Sequence, residues 1–335
     1  MSHATGAHDE FFSPTHHPLS AIGASTSPRV YVIDIDHYHP TRPPPMAQPL
    51  LRQKLEQKHF FAAPGIHDMI AAVIARELRF EVIYGTGYWL TASAHGLPDA
   101  GIATYTQMVD RMTTLVRSSG TAAVIADADT GYGGLLNVHH TVRGYEAAGV
   151  TAVQIEDQEF PKKCGHTPYK RVIPAGEMVD KIRVACEART DPNLLIIARS
   201  DARAVEGFDK MLKRCEAYAE AGADIIFPEA LVSEAEMRTA CAALSKPCLA
   251  NMADGGATPI LPAKKLEEIG YACAIYPSLC ALAAAAAVRH ALERFKETGT
   301  SLNPDVPLHD FKDFCRLIGF EEVWAFEKKW APRTE

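Results

Sequence analysis

The stretch EDQEFPKKCGHTPYKRVIP, residues 156–174, gathers the side chains most able to do chemistry. Cys164 stands there among Lys162, Lys163 and His166, and Gly165 permits a tight turn beside it. Positive neighbours favour the thiolate, so a cysteine in this company can give or take a proton in catalysis. The plainer alternative is a small buried cysteine with solvated lysines on either side. Upstream, Asp127 and Asp129 stand two residues apart at the end of an apolar run, and Glu156 ends the next such run. Three carboxylates suit a hard octahedral ion that keeps several waters, which points to Mg²⁺ with Mn²⁺ as second choice. A zinc site would instead draw Cys or His from more than one loop. A DxD pair by itself can also be two turn or capping carboxylates.

Further groups follow other apolar runs. Arg199 can grip a carboxylate with both arms of its guanidinium, or pair internally with Asp201 or Glu229. Thr86 and Gly87 offer a hydroxyl, an amide and close backbone approach to an anion. Asn251 with Thr258 either holds a further carboxylate or orders the loop that contains both. Acids, an arginine and an amide gathered at one mouth exceed what a structural barrel requires.

The elements that must position these groups alternate along the chain from residue 59 onward. Strands are expected at Phe60–Ala63, Glu81–Tyr84, Ala122–Ala126, Thr151–Ile155, Leu194–Ala198, Asp224–Phe227, Pro247–Ala250 and Tyr271–Tyr276. Helical patterns follow at 68–79, 104–118, 137–148, 174–189, 207–221, 234–244, 262–269 and 278–298, with a long loop ahead of the second. Apolar strands alternating with helices imply a parallel sheet covered on both faces, and eight such units match a closed (β/α)8 barrel. An open doubly wound sheet is the alternative, and no GxGxxG turn supports it. Barrel enzymes carry their chemistry on the loops after the strands, where every group named above falls.

The expected organisation is a partly irregular arm at 1–57, a barrel at 58–298, and a linker with C-terminal helices at 299–335. The arm is rich in His, Pro, Ser and Thr, with a possible edge strand at Val30–Ile35; His37 and His39 are assigned no role. At the other end Leu308–Trp330 reads as one or two amphipathic helices whose aromatic rings need a partner surface.

Composition narrows the class. Of 335 residues 47% are hydrophobic and 22% charged, as in ordinary soluble globular proteins. A net charge of -7 without a basic stripe argues against nucleic acid as a partner. The eight cysteines form no CxxC pair, which fits reduced thiols in a cytoplasmic setting. No secretory signal is expected, and the apolar run Leu279–Val288 is too short to span a membrane.

From about 58 to 298 the chain resembles the isocitrate lyase and phosphoenolpyruvate mutase superfamily. The resemblance is carried by GTG at 85–87, GLPD at 96–99, DADTGYG at 127–133 and IEDQ at 155–158. It continues through KKCGH at 162–166, ARSDA at 198–202, FPEA at 227–230 and NMADGGATP at 251–259. KKCGH is similar to the lyase branch, in which a cysteine protonates the carbanion left by carbon–carbon cleavage; the phosphonate-forming mutases lack it.

The resemblance implies Mg²⁺-dependent retro-aldol cleavage of a 2-hydroxy di- or tricarboxylate, with metal at Asp127, Asp129 and Glu156. It implies Cys164 as proton donor, with His166, Lys162 and Glu229 setting its protonation state and loop closure, and Arg199 holding the oxo acid. Tyr84, Thr86, Gly87, Asp99, Lys163, Gly165, Asn251 and Thr258 are implied substrate contacts. The family also implies a homotetramer, a dimer of dimers that exchanges C-terminal helices. Methylisocitrate lyases carry a third glycine where this chain has Tyr88, and a Glu-Phe pair where it has Asp254-Gly255. These departures favour a smaller, alkylated malate such as 2,3-dimethylmalate. Oxaloacetate hydrolysis, phosphonate chemistry and a non-catalytic assembly module are the alternatives.

Overall fold

The computed structural model describes residues 50–331 other than His166 and Pro168. The expected edge strand at Val30–Ile35, with His37 and His39, lies outside the described residues, as does His166.

Eight strands follow the order of the apolar runs: β1 Phe61–Ile66, β2 Val82–Gly85, β3 Ala123–Asp127, β4 Ala152–Glu156, β5 Leu195–Ser200, β6 Ile225–Pro228, β7 Leu249–Asn251 and β8 Cys273–Tyr276. Every strand pair is parallel, in the order β6-β5-β4-β3-β2-β1-β8-β7. A parallel bridge between Ile226 and Cys248 joins the two ends, and Ile226 N donates to Pro247 O at 2.9 Å. The sheet is thus rolled into the expected (β/α)8 barrel.

Thirteen helices are described: α1 Leu50–Glu56, α2 Met69–Glu77, α3 Gly87–His95, α4 Tyr105–Ser118, α5 Leu135–Ala148, α6 Ala175–Ala188 and α7 Arg203–Glu206, then α8 Phe208–Glu220, α9 Glu234–Ala243, α10 Ala263–Ile269, α11 Leu279–Thr298, α12 Phe311–Leu317 and α13 Phe320–Lys329. Local chemistry sets several starts. Asp68 accepts from Ala71 N at 2.8 Å, and Thr104 with Gln107 forms a reciprocal capping box, which satisfies amide groups a first turn leaves open.

Two apolar layers follow from the two-residue period of the strands. Outward-facing strand residues such as Val124, Val153 and Ile196 pack against the helices in one cluster. Inward-facing residues, among them Val82, Ile125, Leu195, Ile197 and Phe227, fill the barrel. Burying each side chain of that size contributes about 1.5–3 kcal/mol. The N-terminal end of the barrel is stopped by α1: Leu51 is wholly buried in the inner cluster, and Arg52 and Lys54 pair with Asp224 and Glu81.

Continuing each inward set by one step of two reaches the other end of the barrel. Ile125 is followed by Asp127, Gln154 by Glu156, Ile197 by Arg199, Phe227 by Glu229, Leu249 by Asn251, and Tyr84 by Thr86. The same alternation that builds the core therefore delivers the polar groups to the C-terminal mouth.

Candidate active site

These groups line a cavity of about 350 Å³ at that mouth, whose wall includes Asp127, Glu156, Cys164, Arg199, Glu229 and Asn251. Strand register fixes their neighbours, with Asp127 beside Gln154 and Glu156 beside Arg199.

Asp127 is oriented from several directions. Its Oδ2 accepts from Gly87 N at 3.1 Å, and its Oδ1 accepts from Asp129 N at 3.1 Å and Gln154 Nε2 at 3.3 Å. Tyr84 OH donates to Gln154 Oε1 at 3.0 Å, which fixes the amide that reaches Asp127. Gly87 is required here, because a Cβ would stand 2.7 Å from Asp127 Oδ2. Asp129 adopts φ +49°, an uncommon left-handed conformation of the kind that collects at functional sites.

Asp129 is buried, and burial pushes its carboxyl up to about 7 against the pull of Lys162. Burial likewise drives Glu156, only 1% exposed, well above the usual carboxylate range, although Arg199 opposes it. Glu156 Oε1 is buried and makes no hydrogen bond. Among the described residues no three His, Cys, Asp or Glu side chains converge into a coordination set. The donor chemistry nonetheless fits a hard divalent cation: all ligands are oxygen, the carboxylates are crowded where charge is costly, and one oxygen is unsatisfied.

Lys162, expected as one of the cations around Cys164, is paired with acids of other loops. Its ammonium pairs with Asp129 at 2.7 Å and makes a shorter contact with Asp99. Burial works against its charge, but Asp129, Asp99 and Glu156 hold it well above the ordinary lysine value. The loop that carries Cys164 is thereby tied to the end of β3 and to the segment that holds Asp99. Gly165 lies close against the barrel mouth, where a Cβ would come 2.2 Å from Arg199 Nη2. Lys170 completes the clasp by pairing with Asp201 at 3.0 Å and by donating to Gly165 O.

Arg199 is held by its own chain first. Its Nε and Nη2 meet Asp201 Oδ2 and Oδ1 at 2.8 and 3.1 Å, Glu156 and Glu229 each lie at 3.4 Å, and Phe227 stacks under it at 5.1 Å. The internal pair with Asp201 is the geometry that occurs. Burial alone would raise the Asp201 carboxyl, but Arg199 and Lys170 bring it down to about 2. Behind it Asp157 accepts from Ser200 Oγ, Tyr218 OH and Asp201 N within 2.8 Å, and burial raises it to about 6. Glu229 accepts from Ala230 N at 2.8 Å and from Asn251 Nδ2 at 3.0 Å, so the acid aims the amide.

Tyr84, Thr86, Asp99 and Lys163 also line the cavity; Thr258 is buried in its loop but does not reach the wall. Sequence reasoning passed over Lys170, Ser278, Ile275, Pro277 and Leu282. Lys170 belongs to the quoted cysteine stretch, and its short spacing from Gly165 was the signal available for it.

A closed β/α barrel with buried acids, a clamped arginine and a cysteine loop at its C-terminal mouth has the architecture of an enzyme. A family model described as phosphoenolpyruvate phosphomutase matches residues 51–296, and the chain belongs to that family. It is 41% identical over 281 residues to a 2,3-dimethylmalate lyase of Eubacterium barkeri, covering 84% of this chain and 97% of the relative. A 2-methylisocitrate lyase of Halalkalibacterium halodurans is 40% identical over 280 residues, covering 84% and 92%. A solved structure of oxaloacetate acetylhydrolase with 3,3-difluorooxalacetate superposes with TM-score 0.81 at 30% identity, covering 88% and 99%. The chain is an enzyme, and its class is the carbon–carbon lyases.

Proposed function

We propose that this enzyme cleaves a 2-hydroxy dicarboxylate bearing small alkyl groups, of the 2,3-dimethylmalate kind, to a 2-oxo acid and a second carboxylic acid. The observation that carries this reading is the mixed lining of the cavity. Asp127, Glu156, Arg199 and Asn251 bring polar groups to it and Tyr88, Trp89, Ile275 and Leu282 apolar ones, and Cys164 lines the same cavity. A substrate that carries both carboxylates and methyl groups matches such a lining.

Asp127, Asp129 and Glu156 would hold Mg²⁺, or Mn²⁺ in its place; when bound, the ion supplies positive charge that lowers a hydroxyl pKa and stabilises an oxyanion. The remaining work falls to the chain. Thr86, the Gly87 loop, Tyr84 and Arg199 orient the 2-oxo-acid half, while Asn251, aimed by Glu229, serves the other carboxylate. A base takes the hydroxyl proton, the freed oxygen forms the carbonyl, the C2–C3 bond breaks, and its electron pair passes to C3 in conjugation with the second carboxylate. The Cys164 thiol then delivers a proton to C3. Lys162 and Lys170 hold the cysteine loop at the mouth so that water does not intervene.

Oxaloacetate hydrolysis to oxalate and acetate is the second reading, favoured by the structural likeness to oxaloacetate acetylhydrolase. Against it stands the apolar part of the cavity lining, which oxaloacetate would leave unfilled. A phosphonate mutase would have no use for Cys164.

The assembly that fits this enzyme is a cytoplasmic homotetramer, a dimer of dimers exchanging C-terminal helices. Val288, Leu292 and Phe295 on α11 are more than half exposed, and Phe311 and Trp330 more so. Such a surface suits burial against another copy. Among the described residues no helix is long and apolar enough to cross a membrane.

A coupled assay of 2-oxo-acid release with Mg²⁺ over a panel of malates, 2-methylisocitrate and oxaloacetate tests the function. Release of pyruvate from 2,3-dimethylmalate is expected. Oxalate formation from oxaloacetate, without cleavage of any alkylmalate, would transfer the enzyme to the second reading.

A further inference from the structure

Helix α6 buries a lysine. Its inward face carries Met178, Lys181, Ile182, Ala185 and Ala188, and helical spacing would ordinarily put an apolar residue at each of these positions. Lys181 does not line the cavity. Its ammonium turns instead to the loop after β3 and donates to Thr130 O at 2.8 Å. Burial pushes that ammonium below the ordinary lysine value, while Glu177 and Glu156 pull the other way. A lysine kept there against the cost of burial calls for a reason beyond packing.

The loop after β3 supplies one. Asp129 and Tyr132 stand there at φ +49° and +57°, in the left-handed region that side chains with a Cβ seldom adopt. Such a conformation persists only where its surroundings fix it. Glu156 N donates to Asp129 O at 2.9 Å, Thr141 Oγ1 to Gly131 O at 3.2 Å, and the Tyr132 and Tyr145 hydroxyls meet at 2.9 Å. Lys181 adds the charged donor of the set, at the peptide directly after Asp129. Thr130 is buried, so a carbonyl that loses this donor has reason to turn, and the peptide turns with it. The consequence falls on Asp129. A Cβ placed on Gly87 would lie 2.7 Å from Asp127 Oδ2 and 3.3 Å from Asp129 Oδ1, so the two carboxylates look onto one spot.

We propose that Lys181 is a positioning residue for the metal-binding acids: through the Thr130 carbonyl it holds the loop after β3 in the conformation that sets the Asp129 carboxylate beside that of Asp127. This rests on the reading of Asp127, Asp129 and Glu156 as the Mg²⁺ site. Lys181 itself acts from behind the site, through the backbone.

Lys181→Met tests this, because it keeps the length of the side chain and its apolar stem but removes the charge and the donor; Lys181→Gln takes its place should the first not fold. Calorimetry with Mg²⁺ alone should show binding about tenfold weaker than in wild type, the scale of losing a group that orients a metal ligand. In turnover the Mg²⁺ concentration for half-maximal rate should rise by the same factor, while KM for 2,3-dimethylmalate at saturating Mg²⁺ changes little. Amide hydrogen exchange should quicken in residues 128–133 and not in the other loops at the mouth. A lysine that only packs would lower the urea midpoint and leave both the Mg²⁺ dependence and the exchange of that loop as in wild type; this result overturns the proposal. Wild type that binds no Mg²⁺, with quickened exchange in the variant, would count against the metal reading and leave the hold of Lys181 on the loop standing.

Discussion

On β3 to β6 the acids and the arginine that face the cavity stand on the strands themselves, or one residue beyond, continuing the inward alternation of the core, and the cysteine loop follows β4. On β7, β8, β1 and β2 most of the lining groups stand on loops and on the first turns of α3 and α11, as Trp89, Asp254 and Leu282 do. A strand end is held by ladder bonds on both sides, so it can keep crowded acids such as Asp127 and Glu156 at fixed positions despite the cost of burying them. A loop is held by a few side-chain bonds, and changing one residue reshapes it without disturbing the barrel. The function proposed above places the metal-binding acids on the strand ends and the apolar contacts to substrate on the loops.

The largest effect is expected on the strand ends. Glu156→Gln keeps the shape of the side chain but removes its charge, and turnover should fall on the order of 10³-fold together with Mg²⁺ affinity. Steady-state kinetics and calorimetry with the metal alone check this. A variant that retains both would break the division between strand ends and loops at its stronger side. On the loops the changes should be smaller and selective. Leu282→Ala removes apolar surface from the cavity lining, and kcat/KM for 2,3-dimethylmalate should fall about three- to fivefold, the worth of roughly one buried methylene. Unmethylated malate should be affected less; an equal loss for both would show that Leu282 packs for stability and does not meet substrate.

The same difference explains what could be read from the sequence. All eight strands and the inward acids were legible, because apolar runs with a polar residue at the next inward step need only the two-residue period of a strand. The loops were less so. The region after β2 reads as a long loop, yet it contains α3, whose small, aromatic and polar residues keep to no single apolar stripe. Helix α1 was missed because its seven residues follow a Pro-rich tract and bury only Leu51. Lys162 was legible as a cation beside Cys164 but not as the partner of Asp99, 63 residues away, since charge pairing across that separation leaves no periodic trace. Likewise the hydrogen bond between Asp254 and Ser278 joins the loops after β7 and β8, which helix α10 separates in the sequence and strand pairing brings together.

The cysteine loop follows β4 and is tied at the mouth by Lys162 and Lys170. The central claim is that its thiol protonates the carbanion left by cleavage, and the rate of pyruvate release from 2,3-dimethylmalate by Cys164→Ser, with Mg²⁺ present, tests it most directly. Turnover lower on the order of 10³-fold, in a variant that still binds pyruvate, is the predicted result. Cleavage by that variant at close to the wild-type rate would contradict it.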